Sequence, residues 1–468
     1  MKKGRFSIPE IRLPARASIW YVGTNVSTKA VGMLLTPIFT RIMTGAEYGE
    51  HALYMSWLGL ASTVALGAIS QNVIYKGFVR YESERDGYTS AVLGAGAVAA
   101  VGAAVAVGCV GIPLGLTARL LPCFVLQLLF DAVINVALIK ERYVYSYKRI
   151  ALRSAAEAIV APIISVVLIV NGAGGEGRIY GLLITAGIVA AVAAFGIIRR
   201  GGRIYDGEVW RFVFSRSAKL LPYLLSVAVL SQADKLIISR LYGTDVLGRY
   251  AVAHTVGMGL GFVVGGISSS LGPWIIRKLR AGNTDAVREI VGIVSRGICA
   301  VGCAVVAIAP EAIRFLAPSE YLEATYAVVP ITLTALPSFI FNVASVSAIF
   351  KERDGGVSAS AVPAAVASVV IGVLFSPRFL YTGAAIGLLG GYIAMAICSV
   401  ILVFRCSLGR IFDVRKILFS YVLSSLFCIV IAACYHSLVL RILLLIPPAL
   451  FLTDSAFAAY GKIIEVKT

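Results

Sequence analysis

The chain has 468 residues, of which 59% are hydrophobic and 14% charged, with a net charge of +18 at pH 7 and a mean hydropathy of +0.88. A soluble domain carries about 45–50% apolar and about 25% charged residues, so this balance excludes a soluble fold and indicates an all-α polytopic membrane protein, because lipid offers backbone amides no partner. In a soluble protein such a positive charge would raise nucleic acid as a partner; here the basic residues gather beside apolar stretches, and no nucleic acid is expected.

A bilayer core needs roughly 20 apolar residues per helical crossing. Stretches of that kind run over 18–40, 51–75, 91–117, 119–139, 154–170, 179–198, 219–242, 249–274, 291–310, 325–349, 358–376, 383–404, 418–436 and 441–460, which makes fourteen predicted spans. The first follows a basic stretch but is too long for a signal peptide, so it reads as a retained span. Sorting the connecting segments to alternate sides places about 32 of the 42 lysines and arginines on one side, together with both termini. The other side holds only Arg41, Arg119, Arg178, Arg249, Arg314, Arg378 and Arg441. The basic side is therefore expected in the cytoplasm, which puts the N- and C-termini there and the protein in the cytoplasmic membrane.

The eight cysteines fall almost entirely within apolar spans and form no CxxC pair, so neither a zinc site nor a disulfide framework is expected. Connecting segments are short and leave no room for a soluble domain. No G-x-x-x-x-G-K-[ST] occurs, so an ion gradient, a substrate gradient or a partner is the expected source of energy.

Arg41-Ile-Met-Thr-Gly-Ala-Glu-Tyr-Gly49 and Arg240-Leu-Tyr-Gly-Thr-Asp-Val-Leu-Gly248 share an Arg-to-Gly spacing, and Gly67-Ala-Ile-Ser70 resembles Gly265-Gly-Ile-Ser268 at nearly the same offset. Six spans separate the copies, an even number, so the copies should run in the same direction. This repeat predicts a six-helix lobe over 1–205, a second over 206–410, and two additional helices with a cytoplasmic tail over 411–468.

Ionisable residues inside spans are the first functional candidates, since they are costly in lipid. Lys29, near the middle of the first span, is too deep for easy snorkelling and is expected to attract an anion in a polar central cavity. Lys235 adjoins Asp234, with Ser231 and Ser239 on the lysine face; adjacent residues diverge by about 100° around a helix, so the two charges are not expected to pair with each other. Lys235 reads equally as a cavity cation and as a residue snorkelling to the outer end. Gln127, Asp131 and Asn135 recur every fourth residue and line one helical face at mid-membrane depth, where a carboxylate suits proton or sodium coupling or gating. Glu157 belongs to the same coupling set, although Arg153 four residues earlier makes local ion pairing the stronger expectation for it. Asn342 lies on a milder polar face with Ser338 and Ser345. Gly257, Gly261 and Gly265 are expected to let a neighbouring helix approach closely, and Pro37, Pro222, Pro330 and Pro337 to interrupt their spans. No resident metal or cofactor is expected, beyond a coupling H+ or Na+.

Lys29, Thr36-Pro-Ile-Phe-Thr-Arg41 and Gly45-Ala-Glu-Tyr-Gly49 together resemble the first span and loop of Wzx-type polysaccharide (O-antigen) repeat-unit flippases. Pro222, Asp234-Lys235 and Gly243-Thr-Asp-Val-Leu-Gly-Arg-Tyr250 resemble the second-half pattern of the same family. The resemblance places the chain among the multidrug, oligosaccharidyl-lipid and polysaccharide exporters. It implies two lobes around a cavity that opens alternately to each side, and an undecaprenyl-pyrophosphate-linked oligosaccharide as substrate. Lys29, Lys235, Asp234 and Asn342 are the implied substrate contacts, and a polysaccharide polymerase and a chain-length regulator are implied partners in surface polysaccharide synthesis. The rival within transporters is a cation-coupled multidrug exporter or a peptidoglycan lipid-precursor flippase. A membrane polymerase or glycosyltransferase is the rival from another class, and would show a large external loop with catalytic groups; a scaffold for such enzymes would leave a mid-membrane lysine unexplained.

Overall fold

A computed structural model describes residues 31–69, 71–144, 146–351 and 353–450. Among these the chain is helical, without a β-strand, and nine helices are long and apolar enough to cross a membrane. The chain divides into two compact units, Met1–Ala228 and Val229–Thr468.

In the first unit, α1 (Val31–Ile42) leads into α2 (Gly45–Ala68), α3 (Gln71–Arg80), α4 (Arg85–Gly111) and α5 (Leu121–Tyr143). The start of α2 is fixed by its own sequence. The Glu47 amide donates to Thr44 Oγ1 at 3.2 Å and the Thr44 amide donates to Glu47 Oε2 at 2.8 Å, a reciprocal cap that satisfies two of the donors a helix start leaves free. α6 (Tyr147–Ala155) passes through a π-helical turn, Ala156–Val160, into α7 (Ala161–Leu168), and a second wide turn, Ile169–Ala173, precedes α8 (Glu176–Gly201). Small residues let α7 and α8 pack closely: a Cβ on Gly181 would lie 2.7 Å from the Ser165 amide nitrogen. The amphipathic α9 (Gly207–Ala218) is capped by Asp206 and docks on α4, where Trp210 Nε1 donates to the Ala91 carbonyl at 3.0 Å.

α10 (Leu221–Arg280) has 60 residues and α15 (Asp354–Arg405) has 52. At a rise of about 1.5 Å per residue either is far longer than a bilayer core is thick. Each breaks once, α10 at Gly243 with φ 85° and α15 at Leu380 with φ 47°, so each holds two of the predicted spans. Between them lie α11 (Thr284–Ala307), α12 (Ala309–Leu316), α13 (Val328–Leu333) and α14 (Ala335–Phe350), and α16 (Val414–Ala433) and α17 (Leu438–Leu444) follow. Pro330 and Pro337 sit in α13 and α14, either side of the interruption at Thr334, as a residue without a backbone N–H requires.

The core of the second unit is apolar and contiguous. Val264 of α10, Val291 of α11, Phe339 of α14 and Val403 of α15 are at most 1% exposed within it. The two parts of α15 pack backbone to backbone, since a Cβ on Gly387 would lie 2.6 Å from the Gly372 nitrogen. Arg441 of α17 is 3% exposed and donates to Glu311 through two nitrogens at 2.7 Å each and to the Ala307 carbonyl at 2.5 Å, tying α17 to the ends of α11 and α12.

The glycine expectation is corrected in part. Gly257 does meet a neighbour, with its Cβ position 2.7 Å from Ile331 Cγ2, but Gly265 has nothing within 4 Å and Gly261 only the Met258 methyl at 3.6 Å. A four-residue period puts glycines on one helical face but does not put a partner helix along the whole of it.

Candidate functional site

In the first unit, the three polar residues of α5 open onto a cavity of about 280 Å³. Gln127 Nε2 donates to Asp131 Oδ1 at 2.9 Å, an (i, i+4) bond along the helix. Asn135 continues the polar stripe, and Leu66 of α2, Leu182 and Thr185 of α8 and Glu157 complete the walls. Two carboxylates and three neutral polar side chains thus share one pocket framed mainly by apolar helix faces. Such an arrangement offers oxygen ligands to a small cation, or a pair of sites between which a proton can reside.

Glu157 reaches this cavity because the expected local ion pair does not form. Arg153 Nη2 pairs instead with Glu141 Oε1 of α5 at 3.0 Å. The (i, i+4) geometry that would place Glu157 beside Arg153 belongs to an α-helix, and here a π-helical turn begins at Ala156. The wider turn changes the phase of the helix, and π-turns of this kind recur at functional sites.

In the second unit, Asp234 and Lys235 leave α10 in different directions, as their 100° separation requires. Asp234 is 1% exposed. Tyr250 donates its hydroxyl to Asp234 Oδ2 at 2.6 Å, and His254 Nε2 lies 3.5 Å from the same oxygen. The break at Gly243 folds the second part of α10 back on the first and brings residues 16 and 20 positions away against the carboxylate. Lys235 points back along its helix towards Ser231, with Nζ 3.5 Å from the Ser231 carbonyl and 3.2 Å from Gln232 Oε1. Helical side chains lean towards the N-terminus, and this lysine does so. Asn342 Nδ2 donates to Ser268 Oγ at 3.4 Å. Lys29 lies outside the described residues.

The repeated loop motif has a defined local job in both units. In the first, Glu47 of Gly45-Ala-Glu-Tyr-Gly49 caps α2 and also accepts from the Gly175 amide at 2.9 Å, while the Arg178 guanidinium stacks over Phe39 at 4.1 Å and Tyr48 at 5.0 Å. The Thr44 amide holds the Glu47 carboxyl below the usual carboxylate range. In the second, Gly243 supplies the positive φ, Arg249 pairs with Asp245 at 2.9 Å and with Glu323 at 2.7 Å, and Tyr250 holds Asp234. Sequence reasoning missed the partners of Asp234; the four-residue spacing of Tyr250 and His254 was the available signal, since it puts both on one face.

The described residues define a polytopic α-helical membrane protein. Over residues 38–324 the sequence matches the family described as Polysaccharide biosynthesis protein, and the chain belongs to that family. No curated protein matches it. Its fold is similar to that of the lipid II flippase MurJ in an inward closed conformation, with a TM-score of 0.70, 14% identity, and coverage of 96% of this chain and 100% of that one. It is similar also to an inward-facing multidrug resistance MATE family transporter, with a TM-score of 0.58, 13% identity and coverage of 82% and 94%. A Vibrio cholerae MATE transporter matches at 0.57, with 11% identity and coverage of 84% and 96%. Among the described residues no group of three or more His, Cys, Asp or Glu gathers as a metal-ligand set.

Proposed function

We propose that the protein is a flippase that carries a polyprenyl-pyrophosphate-linked saccharide across the cytoplasmic membrane by alternating access. The observation that carries this reading is the likeness to MurJ over nearly the whole chain, together with a family match that points to polysaccharide biosynthesis. The fold likeness favours a peptidoglycan precursor such as lipid II over an O-antigen repeat unit. The family description supports the polymer repeat unit, and both cargoes share the lipid pyrophosphate.

In this proposal the chain makes fourteen crossings with both termini in the cytoplasm, as two six-helix lobes and two added helices. Lys29 and Lys235 meet the pyrophosphate, whose transfer into a water-poor environment needs cationic partners. Asn342 contributes a polar contact, and Asp234, held by Tyr250, fixes the helix that presents Lys235. Asp131 and Glu157, with Gln127 and Asn135, take up and release the coupling proton or sodium ion. A polymerase and a chain-length regulator act on the product if the cargo is a repeat unit.

The test is translocation by the purified full-length protein in sealed proteoliposomes, with fluorescent lipid II and a lipid-linked repeat unit as separate cargoes and accessibility of the sugar as the readout. Flipping of lipid II supports the peptidoglycan reading, and flipping of the repeat unit alone supports the O-antigen reading. Movement of neither, with efflux of cationic drugs instead, would refute both. Lys235→Ala should lower the flipping rate at unchanged membrane abundance.

A further inference from the structure

At the end of the first unit where α5 and α8 finish and α6 begins, a cavity of about 680 Å³ gathers four cations, Lys140, Arg149, Arg153 and Arg200, and two acids, Asp86 and Glu141. The acids are already engaged: Lys140 pairs with Asp86 at 2.5 Å, and Arg153 with Glu141 at 3.0 Å. Among the described residues Arg149 and Arg200 have no ion pair, and Arg153 keeps Nη1 buried without an acceptor. Four cations against two acids leave the lining of this space with a net charge of +2.

The rim has the opposite character. Leu152 is 74% exposed, Val192 69% and Ile188 59%, all on helices apolar enough to cross a membrane, so the rim of the pocket is apolar and exposed. A pocket with cations in its lining and exposed apolar side chains at its rim fits a molecule built the same way. Basic pockets between transmembrane helices bind anionic lipid headgroups for this reason. Soluble phosphate would gain nothing from the apolar rim, and a zwitterionic headgroup would bring its own ammonium against the arginines.

We propose that this cavity is a binding site for the headgroup of an anionic phospholipid, with the phosphate held by Arg149 and Arg200 and the acyl chains along Leu152, Ile188 and Val192. The site is separate from the Asp131 cavity and does not depend on which cargo the protein carries.

Native mass spectrometry of the full-length protein released from mild detergent tests it, with phosphatidylglycerol and phosphatidylethanolamine added as competing probes. One phosphatidylglycerol is expected to be retained in preference. Arg149→Ala with Arg200→Ala should weaken it by about thirty-fold, the effect of removing two interfacial cations. Both arginines are exposed, so this variant should fold normally, and Arg149→Lys with Arg200→Lys should restore retention. Equal retention of the two lipids, or an unchanged affinity in the double alanine variant, would overturn the proposal. So would displacement of the lipid by millimolar inorganic phosphate, which would mark a site for free anions.

Discussion

Replacing Tyr250 by phenylalanine isolates one bond in the second unit. The ring is completely buried, the hydroxyl donates to Asp234 Oδ2 at 2.6 Å, and Asp234 Oδ1 is buried with no hydrogen-bond partner. Phenylalanine fills the same space, so no cavity opens and the loss is confined to the hydroxyl. A hydrogen bond contributes about 0.5–1.5 kcal/mol net, and the acceptor left behind unpaired carries a desolvation cost of about 1–3 kcal/mol. His254, 3.5 Å from the same oxygen, compensates weakly at that distance, so the expected loss is about 2 kcal/mol, or roughly 4–8 °C in the melting temperature of a unit this size. Reversible denaturant unfolding in detergent micelles, followed by tryptophan fluorescence, reads the change directly. Asp234→Asn replaces one acceptor oxygen by a donor amide, so Tyr250→Phe should cost less in that background and the double-mutant cycle should show about 1 kcal/mol or more of coupling. A single-variant loss under about 0.5 kcal/mol, or strict additivity, would refute the view that this hydroxyl anchors the carboxylate.

Gly243→Ala should destabilise by about 1–3 kcal/mol through its positive φ alone, because no atom crowds its Cβ position; an unchanged melting temperature would deny the break its backbone cause. Gly265→Ala should be neutral or slightly stabilising, whereas Gly257→Ala must push Ile331 aside and should cost about 1–3 kcal/mol. Equal effects at the two sites would contradict the packing described for α10. The Glu47 carboxyl is held below its usual range by the Thr44 amide, so its contribution is complete above about pH 4.5 and falls away as the pH drops through the lower folded value. A Glu47→Gln variant should therefore be less stable than the parent at pH 7 and approach it as the pH falls below the lowered folded-state value, as judged by melting curves. Asp131→Asn with Glu157→Gln should leave membrane abundance unchanged and abolish the response of transport to an imposed proton or sodium gradient in proteoliposomes. Transport still driven by both gradients would remove the cavity from coupling.

Membrane insertion and helical character were legible from composition because they rest on sums: enough apolar side chains in succession must leave water, and lipid permits only internally bonded backbone. The polar face of Gln127, Asp131 and Asn135 was legible too, since a helix fixes where every fourth residue points. Partner choice between helices was not. Arg153 was expected beside Glu157 and took Glu141 because a π-helical turn changed the phase, and sequence periodicity assumes a constant phase. Three glycines at equal spacing found one neighbour, because the facing surface belongs to residues some 70 positions away.

By itself the sequence determined that this chain lives in a bilayer and is helical over its described residues, consequences of local chemistry and of patterns that repeat every few residues. Only the tertiary structure decided that Asp234 is held by Tyr250, that Lys235 turns back along its helix, and that Asp131 and Glu157 share one cavity. Those outcomes depend on where a break such as Gly243 or a wide turn such as Ala156–Val160 sends the chain. One residue of altered φ, or one extra residue in a turn, redirects everything after it without changing the pattern in which hydrophobic and polar residues alternate.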